Sequence, residues 1–366
     1  MVKELLENFN PIDYVGFMVF IAVAISLIIS FASYPAILLV ALKKNLLDKS
    51  GDRSSHTGTV PNLGGIGIYL SIVVSITITG APLETKSLFL ILGGITVLFF
   101  LGLKDDILIL SPRKKLIGQL LAAFLLIIFT DTRIYGFSGI LGISIMPYWV
   151  SVGFTLFVYL LIINAFNLID GIDGLAGSLA LIACIAFGIF FYKYEDISMV
   201  VLAASSGGAL ISFLYFNFSR RRKMFMGDSG SMILGFILAV FAVRFIDSSE
   251  SKAISLFHNS SPVIVLSILF FPLLDTLRIF FIRIVVHKKS PFAADNNHLH
   301  HRFLKCGFSH KQTTITIVVT NVVLIFVAYF SRNFEINWQL ILLLISGTIL
   351  YSLYFIFDWL RGMKSN

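Results

Sequence analysis

The chain has 366 residues, 57% of them hydrophobic and only 13% charged, with 36 phenylalanines and a mean hydropathy of +0.91. A soluble globular protein carries roughly 25% charged residues, so this composition excludes an ordinary soluble domain. The net charge of +8 is therefore read loop by loop against a membrane, and no nucleic-acid partner is expected.

In chain order the apolar stretches fall at 14–41, 63–80, 87–103, 115–130, 147–164, 175–192, 197–217, 231–246, 260–282, 312–330 and 337–359. Most are close to the length that an α-helix needs to cross a bilayer, about 17–25 residues. The expectation is an all-α polytopic integral membrane protein, one domain over 1–366, with about eleven transmembrane helices. The first run follows an acidic start and is too long for a signal sequence, so it reads as a retained span. Cys184 lies in an apolar run and Cys306 in a basic loop, so no disulfide is expected between them.

An odd number of spans puts the termini on opposite faces. With the N-terminus outside and the C-terminus inside, segments 42–62, 104–115, 218–230, 283–311 and the tail after 360 hold 20 of the 28 Lys and Arg residues. That asymmetry is the positive-inside pattern. The remaining main inner loop, 165–174, carries no basic residue. Ten acidic residues fall on outer segments, whereas Asp48, Asp52, Asp105, Asp106, Asp170, Asp173, Asp228, Asp275 and Asp295 fall on or near the inner face.

Carboxylates at span ends face a bundle interior or an aqueous cavity, because facing lipid is costly. Gathered together they raise one another's pKa unless cations offset them, and an all-oxygen set suits Mg²⁺. Asp105 and Asp106 would point about 100° apart on a helix, one toward a metal or nucleophile and one toward a basic group; solvated loop acids are the plain alternative. Asp170 and Asp173, at i,i+3, share a face if a helix starts there; otherwise NLIDGIDG is a Gly/Asp turn. Asp228, in MGDSGS, is a helix N-cap, with Ser229 and Ser231 as competing caps, or part of a helix start that holds phosphate, the two not excluding each other. Asp275 has Arg278 and Arg283 as candidate partners. His298, His300 and His301 form HLHH, which reads as a donor array for phosphate oxygens rather than a zinc site, since no cysteine completes a ligand set. Lys49, Arg53 and His56 make a second candidate phosphate clamp. His258, His287 and His310 read as ordinary surface residues. The whole describes phosphate chemistry at a lipid–water interface. A transporter is the competing class, although no internal repeat or midplane site is visible.

These motifs resemble the polyprenyl-phosphate N-acetylhexosamine-1-phosphate transferase family, also called glycosyltransferase family 4. The similarity runs from Asp48 to about Gly307: Asp48, Lys49, Arg53, His56, Gly58 and Pro61; then Asp105–Asp106 with Leu110, Pro112, Lys115, Gly118 and Gln119; then NLIDGIDGLA with Asn167, Asp170 and Asp173; FMGDSGS with Asp228; and SPFAADNNHLHHR with Ser290, Pro291, Phe292, Asp295, His298, His300, His301 and Arg302. Ser50 and Ser54 depart from the family's usual Pro and Lys. The HxHH form is similar to the bacterial branch that uses a UDP-N-acetylhexosamine.

The resemblance implies transfer of N-acetylglucosamine-1-phosphate from UDP-N-acetylglucosamine to undecaprenyl phosphate at the cytoplasmic side of the bacterial inner membrane. UDP-N-acetylgalactosamine and UDP-N-acetylmuramoyl-pentapeptide are the alternative donors. It implies Mg²⁺, with Mn²⁺ as a substitute, on Asp228. Asp105, Asp106, Asp170, Asp173, Asp228 and His301 form the implied catalytic set. Lys49, Arg53, His56, Lys115, Asn167, Asp275, His298, His300 and Arg302 form the substrate-binding set. The lipid bilayer is the expected environment, and a homodimer is compatible with the sequence.

Overall fold

A computed structural model describes residues 13–44, 46, 60–80, 83, 86–108, 110–251, 257, 259–288 and 298–364. The candidate residues Lys49, Arg53, His56, Ser290, Pro291, Phe292 and Asp295 lie outside the described residues. The described chain folds as helices: α1 (Val15–Lys43), α2 (Gly64–Thr79), α3 (Lys86–Leu108), α4 (Pro112–Thr130), α5 (Tyr148–Ile169), α6 (Leu175–Lys193), α7 (Ile197–Asn217), α8 (Gly227–Ser251), α9 (Ser261–Ile268), α10 (Phe270–Phe281), α11 (Leu299–Lys305), α12 (His310–Ser331) and α13 (Ile336–Lys364). Starts follow local chemistry. Pro112 opens α4 after an extended Ser111, where its missing N–H is no loss. Ser309 and Gln312 form a reciprocal capping box at α12.

Among the described residues, eight helices are long and apolar enough to cross a membrane: α1, α3, α5, α6, α7, α8, α12 and the 336–353 part of α13. This is a multi-pass membrane protein. The stretch 260–282, expected as one span, is two helices bent by 80° at Leu269. Pro272, which has no N–H to give, sits in the first turn after the bend. Asn321 of α12 repairs the break: its Oδ1 accepts from Phe271 N at 3.2 Å and its Nδ2 donates to Ile268 O at 2.9 Å. Backbone groups freed within a bilayer need such a partner.

α8 is the central helix, with 94% of its apolar window buried, packed against α2, α3, α5 and α6. Toward its C-terminal half the contact is aromatic. Phe187, Phe190 and Phe191 of α6 meet Phe241 and Phe245 with ring centroids 4.9–6.5 Å apart, distances at which ring pairs add to simple burial. At its N-terminal end the neighbours are small. Gly102 of α3 lies so close that a Cβ there would overlap the backbone of Ser229, and Gly65 of α2 faces Ser229 and Gly230 in the same way.

The helices outrun the apolar windows at this end. α3 continues to Leu108, α5 to Ile169, and α8 begins at Gly227, so part of the expected loops 104–115, 165–174 and 218–230 is helix. Asp105, Asp106, Asn167 and Asp228 thus stand on helix ends, where their polar groups serve one another.

Gly102→Ala should lower stability by about 1–3 kcal/mol, the usual cost of overpacking, read as thermal unfolding in one detergent. Gly93→Ala on the same helix meets nothing within 4 Å and should be neutral or better. Equal melting temperatures for the two variants would refute the close α3–α8 contact.

Candidate active site

The site is built on the first turn of α8. A helix leaves its first N–H groups without intrahelical partners, and here they are met by Asp106 from the end of α3. Asp106 Oδ1 accepts from Asp228 N at 2.7 Å; Oδ2 accepts from Ser229 N at 3.1 Å and from Ser229 Oγ at 2.7 Å. Asn62 Nδ2 adds a donor at 3.3 Å. Gly227 enters the helix at φ +74°, and a Cβ would strike Asn62 O and the Asp106 carboxylate, so both backbone and space demand glycine. Residues 61–65 lie along 225–226: Phe225 N donates to Pro61 O, Gly64 N to Phe225 O and Gly65 N to Met226 O, all at 2.8–2.9 Å.

Asp105, one residue earlier, faces elsewhere. Its Oδ1 accepts from Leu110 N at 2.5 Å and its Oδ2 lies 2.5 Å from Lys115 Nζ. The same ammonium donates to Asp228 Oδ2. Asp228 Oδ1 accepts from Asn167 Nδ2 at 2.7 Å, and Asn167 also donates to Ser231 Oγ at 3.0 Å. Asp105, Lys115, Asn167 and Asp228 therefore form one connected group drawn from four helices.

Asp170 and Asp173 do not share a helical face. Residues 170–174 form a turn between α5 and α6, closed by Gly174 at φ +74°. Asp170 is the residue that ends α5, and its pKa is held well above the usual carboxylate range, first by burial and then by Asp228, Asp106 and Asp173. Asp173 points to a neighbouring cluster: its Oδ2 takes Lys223 Nζ at 2.7 Å and lies 3.6 Å from His310 Nδ1. His310, expected to be an ordinary surface residue, thus stands at the site's edge. The legible signal was its place in the first turn of a helix opened by the S-x-x-Q capping box.

The histidine loop is not an open donor array. Asp275 of α10, fully buried, accepts from Leu299 N at 2.9 Å, from Arg278 Nη2 at 3.0 Å and pairs with His298 Nδ1 at 2.8 Å. Its carboxylate fastens the start of α11 to α10, the service that Asp106 performs for α8. His300 is 1% exposed; its Nε2 faces Gly171 so closely that a Cβ there would sit 2.7 Å away. Neither ring nitrogen has a hydrogen-bond partner among the described residues. The ring lies 5.5 Å from His298 and 4.3 Å from His301, centroid to centroid. His301 is half-buried and Arg302 exposed, so these two face outward.

No three His, Cys, Asp or Glu side chains converge as a ready-made metal cage among the described residues. That fits a hard divalent cation that takes one or two carboxylates and completes its shell with water and phosphate oxygens. Asp228 beside Asp105 supplies such a pair. An apolar cavity of about 500 Å³ lies elsewhere, between α1, α6 and α7, lined by residues such as Val19, Ile185 and Ile211 and by no Asp, Glu, Lys, Arg or His; it offers no reaction chemistry.

Burial, reinforced by neighbouring His301, pushes the His300 imidazole down to about 3. The unfolded chain takes up that proton near pH 6.5 while the folded protein does not. Stability is therefore full above about pH 6.5 and falls as pH drops toward 3, by at most about 1.4 kcal/mol per pH unit. Between pH 6.5 and 5.5 the thermal stability of the wild type should fall more steeply than that of His300→Gln. Identical slopes would show that His300 is protonated in the folded protein.

Residues 88–246, which span α3 to α8 and carry Asp105, Asp106, Lys115, Asn167, Asp170, Asp173 and Asp228, match the sequence model of glycosyl transferase family 4. The chain is 29% identical over 322 residues to the undecaprenyl-phosphate alpha-N-acetylglucosaminyl 1-phosphate transferase of Salmonella typhi, covering 85% of this chain and 84% of that protein. The protein of the same name from Escherichia coli strain K12 is 29% identical over 320 residues, with the same coverage. That from Yersinia pestis is 28% identical over 322 residues, again at 85% and 84%. The similarity to these transferases thus runs through most of the chain, and the match to glycosyl transferase family 4 falls on the helices that assemble the aspartate cluster.

Proposed function

We propose that this protein transfers N-acetylglucosamine-1-phosphate from UDP-N-acetylglucosamine to undecaprenyl phosphate, releasing UMP and giving undecaprenyl-diphospho-N-acetylglucosamine. The observation that carries this reading is the convergence of Asp105, Lys115, Asn167 and Asp228 on the first turn of α8, in a chain whose relatives are named for that transfer. The Lys/Arg asymmetry of the loops supports an N-terminus outside, a C-terminus inside and about eleven crossings, α2 and α4 being the shorter or more basic ones. The site then faces the cytoplasm at the inner face of a bacterial cytoplasmic membrane. There a lipid phosphate at the interface meets a soluble nucleotide.

An oxygen of the lipid phosphate attacks the sugar-proximal phosphorus, and the bond from that phosphorus to the bridging oxygen breaks, the oxygen leaving with UMP. Both reactants are anions, so alignment and charge cancellation are what the protein must supply. Mg²⁺, or Mn²⁺ in its place, would supply charge neutralisation of the diphosphate and of the departing UMP. Asp228 would hold it, with Asn167 fixing the carboxylate's orientation and Asp170 contacting the nucleotide. Lys115 would receive the lipid phosphate, beside Asp105. A phosphate with a second pKa near 6 is mostly deprotonated at pH 7, so proton removal is a minor part of the work.

Every oxygen of Asp105, Asp106 and Asp228 already accepts a hydrogen bond or ion pair, which favours direct displacement over an aspartyl-phosphate. Asp106 acts on this reading as a positioning residue for Asp228. Asp173, with Lys223 and His310, would border the nucleotide. His301 and Arg302 would reach diphosphate oxygens, with Asp275, His298 and His300 supporting them from behind. Lys49, Arg53 and His56 would complete the phosphate clamp.

Asp228→Asn should leave a folded, membrane-inserted protein whose UMP release falls by about 10²-fold or more. The measurement is UMP formed from UDP-N-acetylglucosamine by purified protein, with and without undecaprenyl phosphate. Near-normal turnover by the variant would overturn the role of Asp228. UMP release that ignored the lipid acceptor, or solute flux without any product, would favour the transporter reading.

A further inference from the structure

Lys115 sits where its own charge has to be reckoned with. α4 begins at Pro112, so Lys115 lies in its first turn, and its Nζ reaches Asp105 Oδ2 at 2.5 Å and Asp228 Oδ2 as well. The other oxygen of each carboxylate is committed to a neutral donor: Asp105 Oδ1 to Leu110 N at 2.5 Å, Asp228 Oδ1 to Asn167 Nδ2 at 2.7 Å. Each carboxylate therefore presents one oxygen toward the other, and the ammonium bridges those two oxygens. A divalent cation drawing on the Asp105–Asp228 pair would need the same two. Like charges at such separation repel strongly in a partly desolvated site, so the ammonium and the metal exclude each other.

We propose that Lys115 is an exchangeable counter-ion: a divalent cation and the Lys115 ammonium compete for the facing oxygens of Asp105 and Asp228, and metal binding releases the ammonium to pair with an anionic group of the substrates. The side chain can make that move. Lysine is a point charge on a flexible four-carbon stem, and this one is 24% exposed, so it has a path away from the carboxylates. Two carboxylates with one ammonium keep a net negative charge. Exchange for a divalent ion neutralises both and adds a mobile cation beside the incoming phosphates. Asn167 and Leu110 keep the carboxylates oriented throughout, since neither donor needs to move. The inference rests on the metal assignment made above for Asp228.

The test uses full-length purified protein in detergent with Mn²⁺ as probe and two readouts other than turnover. Mn²⁺ affinity is measured by electron paramagnetic resonance on the wild type, Lys115→Met and Lys115→Arg. The acylation rate of Lys115 in the wild type is followed by mass spectrometry as Mn²⁺ is added, with Lys193 and Lys305 as internal references. Exchange predicts that Lys115 acylation rises severalfold at saturating Mn²⁺ while the reference lysines do not change. It also predicts that Lys115→Met binds Mn²⁺ more tightly than the wild type and that Lys115→Arg does not. Mn²⁺ binding with unchanged or reduced Lys115 reactivity overturns the exchange while leaving the metal assignment intact. Equal or weaker binding by a monodisperse Lys115→Met protein overturns it as well. If neither wild type nor Lys115→Met binds Mn²⁺, the metal assignment fails and the exchange falls with it. The acylation readout needs no variant, so a misfolded Lys115→Met still leaves a decision.

Discussion

The first turn of α8 is held by a carboxylate from another helix, and the site depends on that contact. Asp106 takes the amides of residues 228 and 229 and the Ser229 hydroxyl together. Hydrogen bonds to a charged group are worth roughly 1.5–3 kcal/mol each when partly shielded, and the positive end of the helix dipole adds to the attraction. The consequence is geometric. With Asp106 beneath the backbone, the Asp228 side chain leaves the helix toward Asn167 and Lys115. The glycines at 65, 102 and 227 let α2 and α3 come close enough for the contact to exist.

The same device recurs at the other wall. Asp275 holds the first amide of α11 while pairing with His298 and Arg278. In both places an aspartate inside the bundle anchors the start of a helix. A membrane bundle lacks water to satisfy such helix ends, so anchoring them with internal carboxylates serves the fold and orients the chemistry at once. The division of labour between adjacent Asp105 and Asp106 follows from this. Asp106 satisfies backbone, and Asp105 shares an ammonium with Asp228.

Much of this was legible in the sequence and some was not. Each apolar stretch is helical, 260–282 as two helices rather than one, because apolar runs of span length in so hydrophobic a chain admit little else. Of the one-sided aspartates, Asp105, Asp106 and Asp228 are brought together at the start of α8, whereas Asp173 and Asp275 join other partners. Which of Asp105 and Asp106 met a cation was not legible, since their 100° separation has no sign until α8 is placed. The i,i+3 spacing of Asp170 and Asp173 suggested one face, but Gly171 and Gly174 make a turn there and send the two carboxylates to different neighbours. Asp275 looked like half of a local ion pair with Arg278. Its pairing with His298, 23 residues away, depends on where α11 packs. His310 escaped notice because its partner Asp173 lies 137 residues earlier. The 80° bend at Leu269 was hidden in a continuous apolar run and rests on Asn321 of a different helix.

The Asp106–Ser229 contact is tested most directly by a double-mutant cycle on unfolding free energy in a single detergent, using Asp106→Ala, Ser229→Ala and the pair. A carboxylate that accepts the Ser229 hydroxyl at the helix start predicts a coupling of about 1–3 kcal/mol between the two sites. Strictly additive losses would contradict it, and would mean that something other than Asp106 fixes the direction in which Asp228 points.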